Sequence, residues 1–217
     1  MDIVAFCESD PDWIQFSNAH VQLQKLRNAY LTFLDRAPLD LLGPSDVLVV
    51  VGHGSPNSVG DYHNAIALVT LLLNRGLRNN GATIRFQTCS PADNSQTANP
   101  ILLQIRTQLD NSGRQSITVQ GAMAPSITGW RHTAERVVPH HHLGRVSAQQ
   151  GVTMFQNRDQ IQRAEAYINE HLRPNSTSRE LADIARVVRT YTANFFVDFS
   201  LRAEPFTVSA NQGFVSL

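Results

Sequence analysis

The sequence predicts a three-layer α/β/α domain built on a mostly parallel sheet, and three observations carry that prediction. Val47-Leu48-Val49-Val50-Val51 is an unbroken aliphatic run, the pattern of a strand buried on both faces. Strand-like and helix-like segments then alternate through residues 47 to 120, the order expected of a parallel sheet with helical crossovers. The chain has 217 residues, the size of one ordinary domain.

Taken in order, Ile3 to Cys7 is a short apolar segment that reads as a packed edge strand. Asp10-Pro11 reads as a helix start, with Asp as N-cap and Pro at the first helical position. Leu23, Leu26, Tyr30, Phe33 and Leu34 continue at helical spacing, predicting an N-terminal helix over 11–36 that stops near Pro38. Gly43-Pro44-Ser45 turns into the aliphatic strand, and a loop from Gly52 to Gly60 follows it. Ala65, Ile66, Leu68, Val69, Leu72 and Leu73 predict an apolar helix, and Ala82 to Thr88 a second strand ending at Cys89. Asn99-Pro100 opens a helix with Ile101, Leu102, Ile105 and Leu109 on one face, and Ser116 to Gln120 is a third strand.

Beyond residue 121 the pattern changes. Gly129, Pro139, Gly144 and Gly151 punctuate short segments such as Arg136-Val137-Val138 and Val152 to Phe155, which predict hairpins. Ile161, Ala164, Ile168 and Leu172 form one helical face; Thr177 to Glu180 is a capping box opening a second helix. The domain is expected over 1–155, with 156–217 as a helical extension packed on it and an extended tail at the end.

Eighteen basic against 18 acidic residues give zero formal charge, which argues against a dedicated nucleic-acid binder. Lys25 is the only lysine. No apolar stretch is long enough to span a bilayer, and the N-terminus lacks the basic lead-in of a cleavable signal peptide. Cys7 and Cys89 are expected as reduced thiols in a reducing compartment, in the cytoplasm or in an effector secreted without such a peptide.

Gly52-His53-Gly54 and Thr88-Cys89-Ser90 each follow a hydrophobic strand immediately, and a helical crossover joins the two strands. A right-handed crossover makes the strands parallel, so both dipeptides fall on the carboxyl edge of the sheet, where open α/β sheets carry their sites. If those strands are adjacent or next-but-one, roughly 5 to 10 Å apart, His53 and Cys89 face each other across that edge. A thiol of pKa about 8.5 is only a few per cent thiolate at neutral pH, so a neighbouring imidazole is needed to take its proton and later return one to a leaving amine. The N–H groups of Gly54 and Cys89 would supply an oxyanion hole. The same residues also read as a small buried thiol and a loop imidazole.

A hydrophobic strand ending in His-Gly, a helix, then a strand ending in Cys resembles the caspase-like (clan CD) cysteine peptidases. The likeness is nearest to the autoprocessing cysteine protease domains of large bacterial toxins, which carry Gly-His-Gly and Cys-Ser as Gly52 to Gly54 and Cys89-Ser90 stand here, followed by a β-flap. Gly121 to Phe155 is similar to that flap, and the resemblance covers residues 44 to 155. It implies a caspase-like fold, His53 as general base, Cys89 as nucleophile, and the Gly54 and Cys89 amides as the oxyanion hole. The implied activity is cleavage of a host protein, a partner or the chain itself. Ser90, Asp93 and Trp130 are the expected substrate contacts. Asp93 would favour a basic side chain.

The toxin domains bind inositol hexakisphosphate in a lysine-rich cleft. With one lysine, this chain would have to use arginines such as Arg131, Arg136 and Arg145, and no cofactor is required for the chemistry itself. No acidic residue that orients His53 is evident, since Asp46 stands at the wrong end of its strand, so a Cys-His dyad is expected. His63 is the fallback base. His132 reads as a surface residue, and His140-His141-His142 as a solvated hairpin tip rather than a metal site. The two C-terminal helices offer a surface for an activator or partner protein. The open alternatives are a catalytically silent caspase-like binding module and a Cys-dependent side-chain amidase or transamidase.

Overall fold

The computed structural model describes residues 1–89, 91–92, 97–122, 126–128, 135–137, 158–202 and 214–217. Strands β1 (Asp2–Phe6), β2 (Ala29–Phe33), β3 (Val47–Val51), β6 (Thr83–Gln87), β7 (Thr118–Ala122) and β10 (Phe214–Ser216) form one sheet in the order β10-β7-β6-β3-β1-β2. Its first five strands in chain order are parallel, and β10 closes one edge antiparallel to β7. Helices flank it on both faces, so the chain is a three-layer α/β/α domain.

Strand alternation assigns the layers. Ile3, Ala5, Leu48, Val50, Ile84 and Phe86 point to one face, against helices α2 (Ala65–Asn74) and α3 (Ile101–Asn111). Val4, Phe6, Leu31, Val49 and Val51 point to the other, against α1 (Trp13–Lys25), α4 (Arg158–His171) and α5 (Ser178–Arg202). There Phe6 meets Phe16 edge-on at 4.8 Å between ring centroids. The two C-terminal helices supply Ala164, Ile168, Leu181, Ile184, Ala185 and Val188 to this layer, so they are part of the core.

Two expectations are corrected. The helix expected over 11–36 stops at Lys25, and Ala29–Phe33 is strand β2. Leu23 and Leu26 do pack on the helical layer, but Leu31 and Phe33 alternate into it from the sheet, so period 2 had replaced the helical spacing. The segment expected as an edge strand is β1, paired on both sides, with β2 and with β3. Its residues Ile3 to Ala5 are fully buried, as a central strand requires.

The position of β1 sets where a site can lie. From β1 the chain passes through α1 on one face to β2; from β3 it passes through α2 on the opposite face to β6. Right-handed crossovers moving in opposite directions must use opposite faces. The loops after β1 and β3 therefore part to either side and leave a crevice at the carboxyl edge, the topological switch point of the sheet. In place of a plain loop after β3, β4 (Gly54–Ser55) and β5 (Ser58–Val59) make a tight hairpin. Within the segment expected as a flap, β8 (Ser126–Thr128) pairs antiparallel with β9 (Glu135–Val137).

Candidate active site

His53 and Cys89 end on neighbouring strands. β3 and β6 are parallel neighbours whose register ends with Val51 opposite Gln87, so His53 and Cys89 each follow two residues later from adjacent strand ends at the carboxyl edge. The hairpin after His53 folds back on the turn that carries the thiol. A Cβ on Gly54 would lie 2.7 Å from Thr88 Cβ and 3.0 Å from the Cys89 carbonyl oxygen, so only glycine admits this approach. The His53 side chain is 58% exposed and Cys89 is half-buried, which leaves both open to a ligand.

The Gly54 amide has a defined direction. Gly60 N–H donates to the His53 carbonyl at 2.8 Å, and all peptide bonds described are trans. A trans peptide points its N–H opposite to its C=O, so the Gly54 N–H is turned away from the other arm of the hairpin. It is thereby left for a ligand rather than the hairpin ladder.

The acid that sequence reasoning did not find is Asp12. Its Oδ2 lies 3.1 Å from His53 Nε2, while its Oδ1 accepts from the N–H groups of Ile14 and Gln15 as the N-cap of α1. Gln15 completes a capping box by accepting from the Asp12 N–H at 2.7 Å. The helix thus starts two residues later than the Asp10-Pro11 signal indicated, and the cap is also the partner of the histidine. Glu8, from the same loop, accepts the His53 N–H at 2.8 Å and is held in turn by the Gln15 side chain. The signal that could have revealed Asp12 is its Asp-x-x-Gln spacing to Gln15, but reaching His53 also required β1 to be central.

These contacts set the charges. The hydrogen bond to Asp12 raises the His53 pKa above its ordinary 6.5, with the charges of Asp12 and Glu8 adding to it and burial opposing. Burial pushes the Asp12 carboxyl upward, but the His53 hydrogen bond and the capping N–H groups outweigh it and hold the group below its usual 3.8. With Nε2 engaged by Asp12, the ring nitrogen left for an exchangeable proton is Nδ1. In strand order the groups run Asp12 beside β1, His53 after β3, Cys89 after β6.

Cys7 has another role. It is 4% exposed, its Sγ lies 3.3 Å from the Val51 carbonyl, and burial pushes its thiol far up. It is a packing thiol behind the His53 loop. Asp46 does stand at the opposite end of β3, accepting from the Gly43 N–H and the chain's N-terminal ammonium. Ser90, Asp93, Trp130, Arg131, Arg145, His132 and His140 to His142 lie outside the described residues. Among the described residues no His/Cys/Asp/Glu cluster has metal-binding geometry. A cavity of about 520 Å³ between α1, β2 and α5 lies away from this edge.

Among the described residues no helix is long and apolar enough to cross a membrane. No family model matches the chain, and no curated protein matches it.

Proposed function

We propose that the chain is a caspase-like cysteine endopeptidase of a bacterial toxin or effector type, cleaving a host protein, a partner or itself. The observation that supports it is the parallel pairing of neighbouring strands β3 and β6, from whose carboxyl ends His53 and Cys89 follow two residues later. Cys89 Sγ gives up its proton to His53 Nδ1 and attacks the scissile carbonyl carbon. The electron pair of the C=O bond moves to oxygen, where the N–H groups of Gly54 and Cys89 receive it. The C–N bond then breaks, His53 returns the proton to the leaving amine, and a thioester remains. Water, losing a proton to His53, hydrolyses the thioester and frees Cys89. Asp12 holds the imidazole in the Nε2–H tautomer and stabilises the imidazolium.

The test is labelling with a thiol-directed peptidyl electrophile near neutral pH, read by peptide mass spectrometry, followed by a substrate screen. Cys89 is expected to react fast and Cys7 not at all, and His53→Ala should slow Cys89 to the rate of an ordinary accessible thiol. Cys89→Ala should end cleavage while leaving the melting temperature almost unchanged. Proteolysis retained in that variant overturns the assignment. A mass gain of about one dalton without backbone cleavage would instead identify the side-chain amidase. Adding inositol hexakisphosphate tests the activator that the toxin resemblance implies.

A further inference from the structure

Thr88 stands immediately before the candidate nucleophile, is 2% exposed, and its Oγ1 is fully buried with no hydrogen-bond partner among the described residues. A buried hydroxyl without a partner is disfavoured, and proteins seldom keep one without a use. A valine has the same shape and would fill the position without that penalty. The orphaned oxygen also lies against one particular residue: a Cβ built on Gly54 would stand 2.8 Å from it. Gly54 is the residue whose N–H is turned out of the β4–β5 hairpin, and in an extended strand its C=O points to the same side.

We infer that Thr88 is a positioning residue for the oxyanion hole, its hydroxyl donating to the Gly54 carbonyl when the Gly54 backbone settles onto the substrate's oxygen. This rests on the reading of Cys89 as nucleophile. The bond is absent in the free protein and forms as charge develops on the substrate oxygen. It therefore strengthens the transition state rather than the ground-state complex. The free protein gives up stability for it, a trade common at functional positions.

Two reactions of Cys89 separate this role from a packing role. Acylation by a p-nitrophenyl ester passes through a tetrahedral oxyanion, whereas alkylation by iodoacetamide needs only the thiolate. In the full chain, Thr88→Val should slow acylation about five- to tenfold, the worth of one hydrogen bond. It should leave alkylation unchanged and keep or raise the melting temperature. Thr88→Ser, which keeps the hydroxyl, should restore acylation. Unchanged acylation in Thr88→Val overturns the inference. So does a parallel fall of both reactions with a lower melting temperature, which marks a hydroxyl already paired in the free protein. Failure of wild-type Cys89 in both reactions counts instead against Cys89 as nucleophile, and removes the inference with it.

Discussion

At Asp12 one carboxylate oxygen caps α1 and the other meets His53, and a conservative change separates the two tasks. Asparagine is as good an N-cap as aspartate, so Asp12→Asn should keep the helix start while removing the negative charge from the imidazole. His53 then loses the main cause of its raised pKa. Whichever limb of the pH–rate profile reports His53 should move to lower pH, with the melting temperature changed little. A pH profile of ester hydrolysis in both proteins measures it. The same pair makes a stability prediction with a definite sign. The raised His53 pKa gives stabilisation that is fully present below about 6.5 and lost as pH rises through the folded value. The lowered Asp12 pKa gives stabilisation present above about 3.8 and lost as pH falls through the folded value. Thermal melts should therefore show the largest gap between wild type and His53→Ala at about pH 4 to 6.5, narrowing above it. The gap should be small, because both side chains are partly in water.

At the scale of the element, the β4–β5 hairpin depends on Gly60. Its φ is +54°, and a Cβ there would stand 2.7 Å from the Cys7 carbonyl oxygen besides meeting the Cys7 thiol. Its N–H holds the His53 carbonyl, which fixes the direction of the Gly54 amide. Gly60→Ala should cost roughly 1–3 kcal/mol in chemical denaturation, the range for a residue forced into an unsuitable backbone conformation. Loss of ester acylation should exceed loss of alkylation in the fraction that folds. The helices are plainer. Their cores were readable from apolar spacing in α2, α3, α4 and the start of α5, because each buries one stripe against a flat sheet. The stretch from Leu23 to Leu34 was not, because a helix and a strand follow each other there with apolar residues that mimic one continuous helical face. The helix end at Lys25 carries no glycine to announce it.

Over the whole molecule, one sheet face is covered by α1 from the start of the chain together with α4 and α5 from its end. Leu181→Ala and Val188→Ala, at fully buried positions under the sheet, should each destabilise the fold. About 2–5 kcal/mol is expected for the leucine and less for the valine, read from denaturant midpoints. An effect near zero would mean that these helices only lean on the domain. The parallel sheet is legible because doubly buried strands write themselves as aliphatic runs, and the helical crossover between two of them puts His53 and Cys89 on one edge. Asp12 and Glu8 were not legible, because their part in the site comes from β1 lying between β2 and β3. Strand order of that kind is set by long-range pairing, and a five-residue apolar segment reads the same at an edge or in the centre.

The most direct test of the Asp12–His53–Cys89 arrangement is the rate of Cys89 alkylation against pH in wild type, Asp12→Asn and His53→Ala. In wild type Cys89 should react at neutral pH much faster than an ordinary thiol and far faster than Cys7. His53→Ala should remove that advantage, and Asp12→Asn should shift the pH dependence without removing it. Equal, slow labelling of both cysteines in all three proteins would contradict the account.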